Sequence, residues 1–471
     1  MSQRLWQVLP LGPTGYADSP YQTLSTFAGN PMLISIAALR EEGLLQEADV
    51  KAFPKLPLDH VDYGAAIPAR GRVLQKAATS FPRRASAALK AGLTAFEEKS
   101  ASWLEDFALF AALKSAHGGG PWVQWPMPLV NREKGALAAA RKQFAKEIRH
   151  IKILQFLFHH QWSALRREAK TRGVSVIGDI PIFVAHDSAD VWCHPELFFL
   201  EKNGQPSVIA GVPPDYFSQT GQRWGNPLYR WDVHEEQGFS WWIDRLKSTF
   251  ELYDIVRIDH FRGFAANWEI PASEPTAIKG RWVPGPGRKL FDAARKALGD
   301  LPIIAEDLGV ITPDVDALRD GLGFPGMRIL QFAFGDDPKA AEFRPESYPP
   351  NCVVYTGTHD NDTTVGWYRS EPGKDSTRNA EQISREQHNV RTYLSCDGSQ
   401  IHWDLIALAL RSAANTAVYP LQDLLGLGSE ARMNVPGREN GNWSWRFQWS
   451  QLTPEIEQRL GRLTREAGRG S

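Results

Sequence analysis

Cysteine is nearly absent: 471 residues contain 3, at Cys193, Cys352 and Cys396, far apart and without metal-ligand spacing. That argues against a disulfide framework or a zinc site and fits a reducing compartment. A charge excess is lacking too, with 53 Lys and Arg against 54 Asp and Glu and a formal net charge of −1. No global field therefore points to nucleic acid or an anionic membrane, and the expected substrate is uncharged or small. No stretch approaches the roughly 18 consecutive apolar residues of a membrane-crossing helix. The opening Met1-Ser2-Gln3-Arg4-Leu5-Trp6 lacks the charged-then-apolar order of a signal peptide, so a cytoplasmic protein is expected. No Gly-rich phosphate fingerprint follows any strand-like run, which argues against a dinucleotide site.

What is abundant is aromatic surface, with 17 Trp beside 11 Tyr. Flat rings stack on the apolar faces of sugars while indole N–H and phenol O–H reach hydroxyls, so the composition leans toward carbohydrate, although a Trp-rich core accounts for most such residues. Along the chain, residues 6–11 read as a buried strand and 12–21 as a Pro/Gly loop carrying Tyr16, Asp18, Ser19 and Tyr21. Residues 1–34 are thus expected to supply a barrel strand and a substrate loop. Residues 35–172 carry helical periodicity and are expected to form a helical insert; 173–184 return to a strand. Residues 185–235, rich in Pro, Gly and Trp, are expected to be an irregular insert with binding loops. From 236 to 471 strand-like and helix-like runs alternate: strands at 255–259, 302–306, 328–334, 352–356 and 416–420, helices at 239–252, 287–298, 315–322 and 403–412. Repeated β then α units imply a parallel sheet, and their number favours an α/β fold of the (β/α)-barrel type.

In such a barrel, residues at the C-terminal ends of the strands converge on one mouth. Those ends supply Asp179, Asp259, Glu306 and the pair His359-Asp360. Arg257 precedes Asp259 by two residues and so shares its face of the strand. Three readings stand: a structural ion pair, Asp259 as the cap of the next helix, or a carboxylate kept ionised by Arg257 beside a reacting carbon. Glu306 follows the apolar Ile303-Ile304-Ala305, a setting that favours a protonated carboxyl able to donate a proton. A carboxylate cluster of this kind also suits Mg²⁺ or Ca²⁺, although Arg257 competes with a cation there.

Several stretches together carry a more specific signal. Trp6-Gln7-Val8-Leu9-Pro10-Leu11-Gly12-Pro13-Thr14, Pro213-Pro214-Asp215-Tyr216-Phe217, Arg257-Ile258-Asp259-His260-Phe261-Arg262-Gly263, Ala305-Glu306-Asp307-Leu308-Gly309 and Gly357-Thr358-His359-Asp360-Asn361-Asp362 stand in one order along the chain. In this the sequence resembles the 4-α-glucanotransferases, the amylomaltases or disproportionating enzymes of glycoside hydrolase family 77. The resemblance implies an α-amylase-like (β/α)8 TIM barrel with inserted subdomains, acting on α-1,4-glucans and malto-oligosaccharides without cofactor or metal. It implies Asp259 as nucleophile, Glu306 as general acid/base and Asp360 as transition-state stabiliser. It further implies that Arg257 and His359 support them, that Asp179 closes a strand beside them as part of the substrate site, and that Tyr16, Asp18, Ser19, Tyr21, Tyr216, Phe217, Trp224 and Asn442 touch glucan. Members of the family carry a strand and helix ahead of the Trp-Gln-Val-Leu-Pro motif, so the first β/α unit is expected to be missing and the chain truncated. Two other readings remain: an amylase-like hydrolase, and a glucan-binding protein that has lost catalysis.

Overall fold

The computed structural model describes residues 1–214, 219–373 and 378–470. In chain order, β1 (Leu5–Gln7) is followed by helices α1 (Tyr63–Arg84), α2 (Ala87–Lys99), α3 (Leu104–Ala116) and α4 (Ala145–Thr171). Next come β2 (Ser175–Pro181), β3 (Val208–Val212), β4 (Gln222–Pro227), α5 (Trp231–Glu236), α6 (Ser240–Leu252) and β5 (Ile255–Asp259). Then follow β6 (Ala266–Pro271), β7 (Arg281–Pro284), α7 (Arg288–Leu298), β8 (Ile303–Ala305), α8 (Pro313–Leu322), β9 (Gly326–Ile329) and β10 (Cys352–Tyr355). The chain ends with α9 (Thr364–Tyr368), α10 (Ala380–Leu394), α11 (Ile401–Arg411), β11 (Thr416–Val418) and α12 (Pro454–Glu466). These elements fall into two compact units: Met1–Gln7, Pro57–Asp62 and Pro302–Ser471 in one, Val8–Leu56 and Tyr63–Leu301 in the other.

In the unit that contains β2 and β5, those strands pair in parallel with Asp179 opposite Arg257 and Pro181 opposite Asp259. Both are apolar through their middles, Val176, Ile177, Val256 and Ile258 being buried, as a strand covered on both faces requires. Gly178 is obligatory: a Cβ there would lie 2.2 Å from the Tyr253 ring, whose hydroxyl accepts from the Leu11 amide at 3.2 Å. Helix α3 buries residues on every side, among them Phe107, Leu109, Phe110 and Leu113, and so forms the centre of the helical layer against α4. Gln155 of α4 ties the loop before it, its amide closing on both N and O of Gly29 at 2.8 Å.

The same unit holds an antiparallel sheet in the order β4-β3-β6-β7, where the sequence indicates irregular chain over 208–227. The reason lies in range: Ile209 pairs with Ile270, some sixty positions on, and a register shift between Ile209 and Gly211 breaks the alternation. Many tryptophans are core residues, Trp122, Trp125, Trp192, Trp241, Trp242 and Trp403 all being buried, so Trp content by itself is no index of sugar binding.

His234 sits in this aromatic core, its ring 5.3 Å from those of Tyr229 and Trp231. Burial pulls its pKa from 6.5 down to about 4. Because the unfolded chain takes up this proton first, stability from a neutral His234 is complete above 6.5 and lost as pH falls towards about 4. The loss amounts to about 3 kcal/mol across the window. Unfolding free energies measured by urea titration at several pH values should therefore fall less steeply in His234→Gln than in wild type. Parallel slopes would show that His234 is not the cause.

In the other unit, β9, β10 and β11 form a parallel ladder with β10 central. Helices α9 and α11 cover it through Val365, Trp367, Ile401 and Leu405, and α12 closes on Trp403, Ile406 and Leu410 through Leu460. The strand indicated at 328–334 stops at Ile329 and turns into a 3-10 segment at Leu330–Ala333. At the end of β8 the Ala305 amide donates to the carbonyl of Pro325, just ahead of β9, at 2.9 Å. The ladders among the described residues do not close into a ring; what the structure carries is an α/β fold with parallel strands. No helix among the described residues is long and apolar enough to cross a membrane.

Candidate active site

Two polar clusters form at strand ends, one in each unit. In the first, Arg257 is the hub. Its Nη1 donates to Asp179 Oδ1 and Oδ2 at 2.9 and 2.8 Å, and its Nη2 lies 3.0 Å from Asp259 Oδ1. The β2/β5 register sets Asp179 directly opposite Arg257, and the two-residue alternation sets Asp259 on the same face. Exposure separates the two carboxylates: the Asp179 side chain is 0% exposed and that of Asp259 31%. Asp179 is therefore the buried partner of this arginine, and Asp259 the carboxylate left open to an incoming group. The structural pair and the candidate nucleophile are thus both present, on one arginine.

Tyr21 adds the loop to this hub, donating from its hydroxyl to Asp179 Oδ2 at 2.9 Å. The loop itself is closed by Gly15 N to Gln22 O at 2.7 Å, and Ser19 Oγ accepts from the Tyr21 amide at 3.2 Å. Ala17 and Asp18 both take left-handed backbone angles, φ 55° and 56°, a strained turn that presents Tyr16 to solvent. Burial raises the Asp18 carboxyl above its ordinary pKa. Trp224 stands edge-on to His260 with ring centroids 4.7 Å apart. His260, directly after Asp259, is held at φ 55°, and burial followed by the charge of Arg262 brings its pKa down to about 3, so the imidazole is neutral. Tyr216 and Phe217 lie outside the described residues.

In the other unit, Glu306 is buried just past β8 and accepts from the Leu308 amide at 2.9 Å through Oε1. Its neighbour Asp307 faces elsewhere, bound by the Met327 amide at 2.6 Å and by Arg319, which makes it structural. The segment from Thr356 to Thr364 carries His359 and Asp360 and is pinned at both ends by the buried Asp423. That carboxylate accepts from Thr356 Oγ1 at 2.6 Å, Thr364 N at 2.6 Å and Thr364 Oγ1 at 2.7 Å. Asp360 is 45% exposed at its side chain; Oδ1 accepts from Asn434 Nδ2 at 2.6 Å and Oδ2 lies 3.5 Å from His359 Nε2. Arg432 donates to the Asp360 carbonyl at 2.7 Å, and the Asn434 amide to the His359 carbonyl at 3.1 Å. Asn442 staples its own loop, accepting from Val435 N at 2.9 Å and donating to Arg438 O at 2.8 Å.

Sequence reasoning missed Asn434, Arg432 and Asp423. The first two sit in the polar loop 429–445, where an Arg-x-Asn triplet looks like any turn. Asp423 had no signal beyond a carboxylate preceding an apolar residue. The structure brings Asp179, Arg257, Asp259 and Tyr21 together in one cluster, and His359 and Asp360 in the other with Trp443, 5.8 Å from the His359 ring.

A model of the glycoside hydrolase family 77 4-alpha-glucanotransferases matches residues 1–453. The chain belongs to that family. A 4-alpha-glucanotransferase of Thermus thermophilus is 53% identical to it over 459 residues, covering 97% of this chain and 90% of that protein. An amylomaltase from Streptococcus agalactiae, solved in complex with acarbose, superposes with a TM-score of 0.93 at 37% identity, covering 100% of this chain and 92% of the other. The amylomaltase of Corynebacterium glutamicum shares the fold, with a TM-score of 0.76 at 18% identity over 99% of this chain and 70% of its own. The activity of this family member is 4-alpha-glucanotransfer, and its fold is that of the amylomaltases.

Proposed function

We propose that transfer proceeds with retention through Asp259, Glu306 and Asp360, on α-1,4-glucans and malto-oligosaccharides in the cytoplasm. Asp259 attacks the anomeric carbon while Glu306 gives its proton to the departing 4-oxygen, so the glycosidic C–O bond breaks as the ester to Asp259 forms. Glu306, now a carboxylate, takes the proton from the 4-hydroxyl of an acceptor glucan. That oxygen displaces Asp259 and restores both groups. Such a double displacement requires the two carboxyls to face each other across about 5–5.5 Å when substrate is bound.

Asp360 grips hydroxyls of the distorted ring, a contact that strengthens as positive charge develops at the anomeric carbon. Its orientation is fixed beforehand by Asn434 and Arg432. The observation that carries the reading is the forked guanidinium of Arg257, which holds the fully buried Asp179 through Nη1 and leaves the partly exposed Asp259 on Nη2. Tyr16, Tyr21 and Trp224 lie on the loop and strand nearest that hub and offer faces and hydroxyls for sugar rings.

Maltotriose tests the reading. Purified enzyme should convert it into glucose and longer oligosaccharides with no net gain of reducing ends. A net gain equal to the bonds cleaved would make water the acceptor and the protein a hydrolase, and binding without any product would leave only a glucan-binding protein.

A further inference from the structure

Behind the Arg257 hub, within the same unit, lies a second arginine that the reaction scheme does not use. Arg245 projects from α6 and is 1% exposed. Its guanidinium lies over the Trp242 ring at 4.6 Å and the Trp241 ring at 5.7 Å. Nη1 donates to the Ile182 carbonyl at 2.9 Å and to Tyr229 Oη at 3.3 Å, and Nη2 donates to the Pro181 carbonyl. The Tyr229 hydroxyl donates to the same Ile182 carbonyl at 2.9 Å, so both lone pairs of that oxygen are taken.

A cation in this position is expensive. Its hydrogen-bond partners are neutral oxygens, and burial pulls its pKa below the ordinary arginine value, with the field of Asp190 offsetting only part of the penalty. A methionine would fill the same aromatic slot without that penalty. What methionine cannot supply is a planar fork on two successive carbonyls at the end of β2. The Ile182 amide, on the far side of the same residue, donates to the Asp259 carbonyl at 3.3 Å, and Pro181 stands opposite Asp259 in the β2/β5 register. A continuous path therefore runs from guanidinium to Ile182 carbonyl, from Ile182 amide to Asp259 carbonyl. It meets the backbone of the carboxylate that Arg257 orients from its side chain.

We propose that Arg245 is a positioning residue for the transfer reaction: it fixes the peptide units of Pro181 and Ile182, and through them the backbone from which Asp259 attacks. The inference rests on Asp259 being the nucleophile. Arg245 touches no substrate, so its loss should lower the rate of the chemical step and leave glucan affinity in place, since small displacements of a nucleophile are felt in kcat.

The test compares initial rates of maltotriose disproportionation and melting temperatures for wild type, Arg245→Lys, Tyr229→Phe, Phe110→Leu and Asp259→Asn. Arg245→Lys keeps the charge and removes the fork; kcat should fall by at least about 30-fold with KM within about threefold. Tyr229→Phe removes one donor to the Ile182 carbonyl and should lower kcat by about threefold to tenfold in the same pattern. Phe110→Leu, a core truncation in α3, should lower Tm and leave kcat unchanged. If Arg245→Lys does not fold, Tyr229→Phe decides. Unchanged kcat in the folded variant, a rise in KM in place of the fall in kcat, or an equal fall of kcat in Phe110→Leu would each overturn the proposal. Asp259→Asn separates the two readings: turnover in that variant removes the nucleophile assignment, whereas an inactive Asp259→Asn beside a fully active Arg245→Lys removes only the positioning role.

Discussion

Asp259→Asn is expected to lose at least about 10⁴-fold in turnover of maltotriose, because an amide oxygen cannot form the glycosyl ester on which a double displacement depends. The same variant should bind malto-oligosaccharides within about threefold of wild type, since uniform binding contacts are made by other groups. Structural damage should be small. The side chain is 31% exposed, and an amide Oδ1 still accepts from Arg257, whose principal partner Asp179 is untouched. Isothermal titration with maltoheptaose and a single-turnover assay separate the two effects. Residual turnover within tenfold of wild type, in protein free of contaminating enzyme, would mean that Asp259 is not the nucleophile. A normal rate of the first displacement in this variant would likewise remove Asp259 as the group that forms the ester. The assignment therefore stands or falls on the chemical step alone.

How far this site was legible depends on the range over which each contact acts. Period-two alternation along Ile255–Asp259 is local, and it correctly sets Arg257 and Asp259 on one face. That Asp179 is the buried counter-ion and Asp259 the exposed partner is not local; it needs the β2/β5 register, which joins positions 78 apart. Asn434 reaches Asp360 across 74 positions from a loop with no periodicity, and Asp423 reaches Thr356 across 67. Neither leaves a pattern in a window of ten or twenty residues. The antiparallel sheet β4-β3-β6-β7 was hidden for the same reason, its strands being short and its partners distant. Strand ends were misjudged where apolar composition outlasts the ladder. Phe332 to Phe334 are as apolar as a strand, yet the backbone has already turned at Leu330. Asn442, indicated as a sugar contact, also binds the loop that carries it through both ends of its amide.

Arg257→Met should be the most damaging single substitution for stability in this cluster, because it leaves Asp179 buried at 0% exposure without the two hydrogen bonds from Nη1. Removing one member of a buried pair typically costs about 3–5 kcal/mol, far more than the pair contributes relative to an apolar replacement of both. The Tyr21 hydroxyl remains, but one neutral donor at 2.9 Å does not replace a guanidinium. Neutralising the stranded group should therefore reverse the loss: Asp179→Asn combined with Arg257→Met is expected to recover most of the unfolding free energy in urea titrations. Activity should not return with it. Asp259 in the double variant still lacks the Nη2 contact that aims it, so kcat should stay down by about 10²-fold or more. The two effects would then come from different nitrogens of one side chain, Nη1 holding Asp179 and Nη2 meeting Asp259. A single variant that loses less than about 1 kcal/mol would show that Asp179 is not dependent on the pair. A double variant that regains kcat together with stability would show that Arg257 serves the fold and leaves Asp259 to act unaided.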